Sequence, residues 1–502
     1  MGKVIHTGVV VVGTGFSGMG MAIQLRREGR DDFVVLEKAG DFGGTWRDNT
    51  YPGCACDIQS HMYSFSFEQK HDWSRSFAPQ PEIWAYMRQV ADKWGLRRFT
   101  RFHCEVAGAR WDADEARWHV ATKSGDTYVA QYLVAGVGAL HLPSIPALPG
   151  IENFTGKTFH SAEWDHDYDL TGKKVAVIGT GASAIQFVPQ IAKQVEQLTL
   201  FQRTAPWVMP KPDHAMPAWS HKVFSSVPGA QRAYRSLLYW INEVRAVGFN
   251  GNLGVLKAAS KLAAWNIRRS VNDPEMVRKL TPDYVMGCKR VLISNDYYPT
   301  FNRANVDLDT SGVAEVKAGS IVTKDGREIE VDAIIYGTGF HVTDAFDYLD
   351  ITGRDGLDLA KVWRENGINT YKGITVNGFP NLFFLLGPNT GLGHNSVVFM
   401  IESQIRYVAD AMRLVDKHGG QSIEVRRGAQ EKFNAEIQRK LADGVWTQGG
   451  CTSWYLDSQG VNRTIWPGFT WRYWMQTRGV DPAAYEVVAK RGDRARAGSS
   501  AR

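Results

Sequence analysis

The run Val9-Val10-Val11-Val12 is apolar without alternation and wholly β-branched, the pattern of a parallel strand buried on both faces. It ends at Gly13-Thr14-Gly15-Phe16-Ser17-Gly18. A helical stretch from about Met19 to Arg27 then leads to a second strand, Phe33-Val34-Val35-Leu36-Glu37. The same order returns at Lys174–Ile178, followed by Gly179-Thr180-Gly181-Ala182-Ser183-Ala184, a helix through about Lys193, and the strand Gln197–Phe201. Two such βαβ units predict an α/β protein with two Rossmann-like dinucleotide-binding domains.

The remaining pattern fits around them. Trp118–Val120 and Tyr128–Val134 read as strands that complete the first domain, and the proline-rich stretch Leu142–Gly150 reads as a linker. Residues 210–287 turn helical and aromatic without a glycine fingerprint, as expected of an insertion in the second domain. Ala333–Phe340 is an apolar strand ending in a glycine turn and is expected to mark the return to the first domain. Asn381–Gly387 is a core strand, with a helix from about Ser396 to Val415 after it. The expected domains are 1–140 with 343–488, and 141–342; the basic tail 489–502 is expected to be disordered.

Composition narrows the function classes. A hydrophobic share of 44% and a charged share of 22% are those of a soluble globular protein. No apolar run reaches membrane-spanning length and no cleavage signal opens the chain, so no membrane insertion and a cytoplasmic placement are expected. A net charge of +6 without a basic block outside the tail gives no ground for a nucleic-acid partner. Five cysteines without a CxxC pair argue against a disulfide framework and a metal centre alike. The aromatic share of 12% fits either aromatic cores or a site lined for an apolar ligand.

The charge that follows each glycine run separates the two cofactors. Glu37 stands 24 residues after Gly13, where a carboxylate accepts hydrogen bonds from ribose hydroxyls; Lys38 follows it. Arg203, followed by Thr204, stands 24 residues after Gly179, where a guanidinium attracts a 2′-phosphate. The first site therefore suits FAD and the second NADPH. A disulfide reductase would need a thiol after the turn Gly43-Gly44-Thr45, but Trp46 stands there, and an indole cannot exchange disulfides. Cys54 and Cys56, one residue apart, read as buried fillers.

Phe154-Thr155-Gly156-Lys157-Thr158-Phe159-His160-Ser161-Ala162-Glu163-Trp164-Asp165 matches the pattern FxGxxxHxxxW(P/D). With the two nucleotide fingerprints, the chain resembles the Baeyer–Villiger monooxygenases, relatives of the flavin-containing monooxygenases. Gly43–Trp46, Tyr51-Pro52-Gly53, Cys56-Asp57-Ile58, Phe201–Thr204 and Lys289-Arg290 extend the likeness from Val9 to about Trp474. The resemblance implies NADPH-driven insertion of one oxygen atom from O₂ beside the carbonyl of a small apolar ketone, through a flavin C4a peroxide, giving an ester or lactone.

It also implies roles. Arg290 would stabilise negative charge and Asp57 would position it; Lys289 would contact the 2′-phosphate. Gly44, Thr45, Trp46, Asp57, Tyr63, Val106 and Asn389 join the first cofactor's contacts, and Trp454 lies near the nicotinamide cofactor or else packs in the core. His160 would lie on the interdomain connection with Phe154, Gly156, Trp164 and Asp165. Gly387-Pro388-Asn389-Thr390 runs on as Gly391-Leu392-Gly393-His394-Asn395-Ser396, a departure from many such enzymes that leaves the substrate side open. N- or S-oxygenation shares every cofactor motif, and a flavin-binding protein without oxygenase turnover stands as a third reading.

Overall fold

The computed structural model describes residues 2–343 and 350–489. The first sheet runs, in spatial order, through Asp350–Thr352, Val106–Asp112, Arg117–Thr122, Thr127–Ala135, Val4–Val12, Phe33–Leu36 and Thr100–Arg101. Leu382–Phe384 also pairs in parallel with Thr127–Ala135. Val9 and Val11 enter one apolar core and Val10 another, so alternate side chains of one strand fill two layers. That is why the stretch Val9–Val12 carries no polar positions. The helices Phe16–Arg27 and Val397–Lys417 pack together over one face.

The second sheet is wholly parallel, in the order Val306–Asp309, Gln197–Phe201, Lys174–Ile178, Ala333–Tyr336, Lys157–His160. Val175 and Val177 again enter one core and Ala176 another. In both sheets the glycine turn leaves the carboxyl end of the strand at which the order reverses, the place where open α/β sheets bind ligands.

Ala333–Tyr336 pairs with Lys174–Ile178 and Lys157–His160, so this strand closes the second sheet and is not yet the return to the first. The first sheet is rejoined later, where Asp350–Thr352 pairs with Val106–Asp112. The first helix starts at Phe16, earlier than its apolar periodicity suggested. The stretch 210–287 holds the helices Ala218–Ser226, Ala230–Val244, Ala246–Phe249, Leu253–Ser270 and Pro274–Leu280, between the paired strands Val208–Met209 and Leu292–Ile293. The basic tail lies outside the described residues, apart from its first residue. Among the described residues no helix is long and apolar enough to cross a membrane.

One expectation needs correction. Cys288 and Cys451 form a disulfide across 163 residues, with Cα atoms 6.1 Å apart. The odd cysteine count argued against a disulfide framework, but spacing along the chain cannot reveal a single long-range pair. Cys54, Cys56 and Cys104 are free and buried.

Candidate active site

The two glycine turns have matching geometry. Gly13 donates to the Leu36 carbonyl (2.8 Å) and Gly179 to that of Phe201 (3.1 Å), each fastening its turn to the next strand. Their φ values of +95° and +104° favour glycine. A Cβ at either would come within 2.7 or 2.6 Å of a carbonyl oxygen, that of Gly136 or Gly337. At Gly15 and Gly181 a Cβ would instead make only ordinary van der Waals contact, at 3.9 and 3.7 Å, respectively. Both helices that follow begin without a side-chain cap; in the second, the Ile185 and Gln186 amides already donate to the carbonyls of Gly181 (3.2 Å) and Ser183 (3.0 Å). Phe16 and Ser17 are buried in the first turn, Gly18 packs on the Gly13 carbonyl, and Ala184 is buried while Ala182 is exposed. These are cradles that fit pyrophosphate.

The charged strand ends differ as their residues require. Glu37 is buried and accepts from the Thr14 amide (2.9 Å) and hydroxyl (2.6 Å) and from the Ala39 amide (2.9 Å), with Arg47 3.1 Å away. The carboxylate is thus fixed at the lip of the first cradle, beside exposed Lys38. In the second unit the Thr180 hydroxyl donates to the Thr204 carbonyl (3.1 Å), and Arg203 stands exposed. Burial first, and then the charge of Arg203, pulls the Lys289 pKa down. Arg203 and Lys289 thus lie close enough for their charges to oppose each other.

Arg290 donates to Asp57 Oδ2 from Nε (2.9 Å) and Nη2 (2.5 Å). Asp57 raises the guanidinium pKa further, against burial, so the cation is permanent. Trp46 donates from its indole to the Tyr63 hydroxyl (3.2 Å), and Phe16 meets Tyr63 edge-on at 5.4 Å. Thr45 and Trp46 open the short helix Thr45–Asp48, and Gly44 lies next to Gly15. Burial pushes the Cys54 thiol up to about 12 and the Cys56 thiol higher still, so neither is a thiolate near neutrality.

The flavin-binding monooxygenase-like family model matches residues 6–225. A Baeyer–Villiger monooxygenase of Pseudomonas aeruginosa is 52% identical over 484 residues, covering 96% of this chain and 92% of that one. Another, from Streptomyces coelicolor, is 47% identical over 96% of this chain and 93% of its own length. This chain belongs to the Baeyer–Villiger monooxygenases. Among solved structures, an oxidized steroid monooxygenase bound to NADP superposes with a TM-score of 0.87 at 32% identity, over 97% of this chain and all of that one (100%). The closed form of cyclohexanone monooxygenase gives 0.88 at 27% identity over the same shares, 97% and 100%. The chain is an FAD- and NADPH-dependent flavoprotein enzyme of this family.

The family fingerprint lies along one edge of the second sheet. His160 ends the strand Lys157–His160, is fully buried, and accepts at Nδ1 from the Ala162 amide (3.1 Å); burial lowers its pKa. Trp164 packs on Phe159 and Phe187 at 5.2 and 5.3 Å, Asp165 pairs with Lys157 at 2.5 Å, and Phe154 packs against the third core beside Gly156. Phe154 and Trp164 thus contribute packing.

Some expected members sit elsewhere than at the ion pair. Val106 is half-buried at the start of its own strand. Asn389, at φ +56°, donates from its side chain to the carbonyls of Asn462 and Ile465 (both 3.1 Å), anchoring the Gly387–Thr390 turn. Trp454 is 43% exposed, its ring 4.3 Å from that of Tyr455.

Sequence reasoning missed several residues. Tyr455 is fully buried with no hydrogen-bond partner at its hydroxyl. Burial pushes its pKa up to about 12, and the nearby Arg290 charge acts the other way. Cys288–Cys451 ties the Lys289–Arg290 segment to the Trp454–Tyr455 loop. Gln186 joins the two domains: it accepts from Tyr51 (3.1 Å) and donates to the Ala55 carbonyl (3.0 Å). Glu243, buried in the insertion, accepts from Asn395 (2.9 Å) and from the amide and hydroxyl of Thr470, with His394 at 3.5 Å. It fastens the insertion to the divergent Gly391–Ser396 stretch. Its signal in the sequence was solitude, since it is the only acid between residues 218 and 270.

Proposed function

We propose that this enzyme oxidises a small apolar ketone to an ester or lactone, with Arg290 as the charge-stabilising catalytic residue and Asp57 as its positioning residue. When bound, FAD supplies activated oxygen from O₂ and NADPH supplies the hydride that reduces it. Arg290 holds a permanent positive charge where negative charge develops on oxygen during the transfer. Its bonds to Asp57 run from Nε and Nη2 to one carboxylate oxygen, and Nη1 takes no part in them.

The other roles follow from the cradles. Gly13, Gly15 and the helix start at Phe16 receive the pyrophosphate of FAD, and Glu37 its ribose. Gly179, Gly181 and the helix start at Ala184 receive that of NADPH, with Arg203 and Lys289 on the 2′-phosphate. Residues 1–140 and 343–488 form the FAD domain and 141–342 the NADPH domain. The Asp57–Arg290 pair, which brings together two segments 233 residues apart, carries the reading.

The test is product analysis. Cyclic, linear, aromatic and steroid ketones, and one thioether, are offered with NADPH and air. Ester or lactone from at least one ketone supports the proposal; sulfoxide from the thioether with no ester from any ketone refutes it.

A further inference from the structure

The helix Ala230–Val244 is inside out. Its buried residues are Arg235, Leu238, Asn242 and Glu243. Leu237, Trp240, Ile241 and Val244, spaced i, i+3, i+4 and i+7 on one face, are 56%, 56%, 45% and 68% exposed. The helix cannot roll to hide them. Arg235 donates to the His61 carbonyl, Asn242 to Gln59 (3.0 Å), and Glu243 accepts from Asn395 and Thr470. Turning would leave each of these polar groups without its partner.

The apolar face does not stand alone. Trp219 on the preceding helix is 67% exposed, and Trp265 on the helix Leu253–Ser270 is 50% exposed. Exposed tryptophans and aliphatic side chains on three helices of one insertion mark an interaction surface. The exposed charge of residues 218–270 is of one sign. Lys222, Arg232, Lys257, Lys261, Arg268 and Arg269 are exposed, and the only acid from 218 to 270 is the buried Glu243. The Arg269 guanidinium lies 5.4 Å over the Trp265 ring. Acids that flank the segment are engaged, Asp213 with Arg75 (2.8 Å) and Glu275 with Lys279 (3.4 Å).

The charge decides between occupants. A second copy would bring one cationic rim against another. A bilayer surface containing anionic lipid complements both features, since tryptophans and aliphatic side chains enter the headgroup boundary while lysines and arginines meet lipid phosphates. We propose that the outer face of the helix Ala230–Val244, in an insertion that also exposes Trp219 and Trp265, is a docking surface for an anionic lipid bilayer. The protein lies on that surface without crossing it.

The test is co-sedimentation of full-length holoenzyme with vesicles of mixed phosphatidylcholine and phosphatidylglycerol, and with pure phosphatidylcholine. The expected result is binding to mixed vesicles that weakens with added salt and is lower on pure phosphatidylcholine. Combined Leu237→Ser, Trp240→Ser and Val244→Ser should weaken binding roughly tenfold or more. Lys257→Glu with Lys261→Glu should lower binding to mixed vesicles alone. All five positions are exposed, so both variants should keep their flavin and thermal transition. Failure of the holoenzyme to sediment with mixed vesicles overturns the proposal, as does unchanged binding by the triple variant. So does a dimer in light scattering that the triple variant converts to monomer.

Discussion

Arg290 and Asp57, 233 residues apart in sequence, meet through two donors on one carboxylate oxygen, at 2.9 and 2.5 Å. The two segments that carry them come from different domains and have no local reason to approach. Arg290→Ala is expected to leave NADPH-driven reduction of the flavin within a few-fold of wild type. Ester formation should fall by about two to three orders of magnitude, as when an oxyanion donor is removed. Rapid-mixing absorbance and product analysis on the same preparation separate the two effects, and wild-type ester yield would remove the assignment. Asp57→Ala should behave alike in kind and less in degree.

Arg203→Ala should raise the KM for NADPH roughly ten- to hundredfold, the loss of charge-assisted hydrogen bonds worth about 1.5–3 kcal/mol. The KM for NADH should stay nearly level. Steady-state kinetics with both nucleotides check this, and an unaltered preference would leave the 2′-phosphate to Lys289 alone.

Both fingerprints and their terminal charges were legible because a βαβ cradle is local. The turn, the helix start and the strand end lie within 25 residues and obey steric and electrostatic rules that need no distant partner. The insertion was legible only as helical. Amphipathic logic would bury Leu237, Trp240, Ile241 and Val244, whereas the structure buries Arg235, Asn242 and Glu243, because partners from the first domain and the 470 region satisfy those groups. Tyr455 and the Cys288–Cys451 pair escaped for the same reason: what makes each notable is a partner far along the chain.

Glu243 accepts from the Asn395 side chain and from the amide and hydroxyl of Thr470, whose hydroxyl also meets that of Tyr239 (3.0 Å). Glu243→Ala should leave the Asn395 side-chain amide and the Thr470 backbone N–H buried and unpaired, at about 1–3 kcal/mol each. Glu243→Gln should recover only part of the loss, because its amide presents donors to donors. Denaturant unfolding of the three proteins checks the order wild type, Gln, Ala. Equal stability of all three would contradict the fastening role.

His61 is buried between Phe224 and Tyr234 of the insertion, 5.0 and 5.2 Å from their rings. Burial first, then the charges of Arg235, His221 and Lys70, lowers its pKa to about 4. The unfolded chain binds a proton there near pH 6.5, so between about 6.5 and 4 it holds more protons than the fold. The stability contribution is full above that window and is lost as pH falls through it, by about 3 kcal/mol at its lower end. His61→Phe should flatten this part of the stability–pH curve, followed by chemical denaturation at stepped pH. An unchanged slope would place the titration elsewhere.

The most direct test supplies ¹⁸O₂ to the purified yellow enzyme with NADPH and a ketone that turns over. One labelled atom per product molecule, in the bridging oxygen of the ester or lactone with the carbonyl oxygen unlabelled, is the predicted result. Unlabelled product, or NADPH consumed with peroxide released and no ester from any ketone, would contradict the assignment of this site to oxygen insertion.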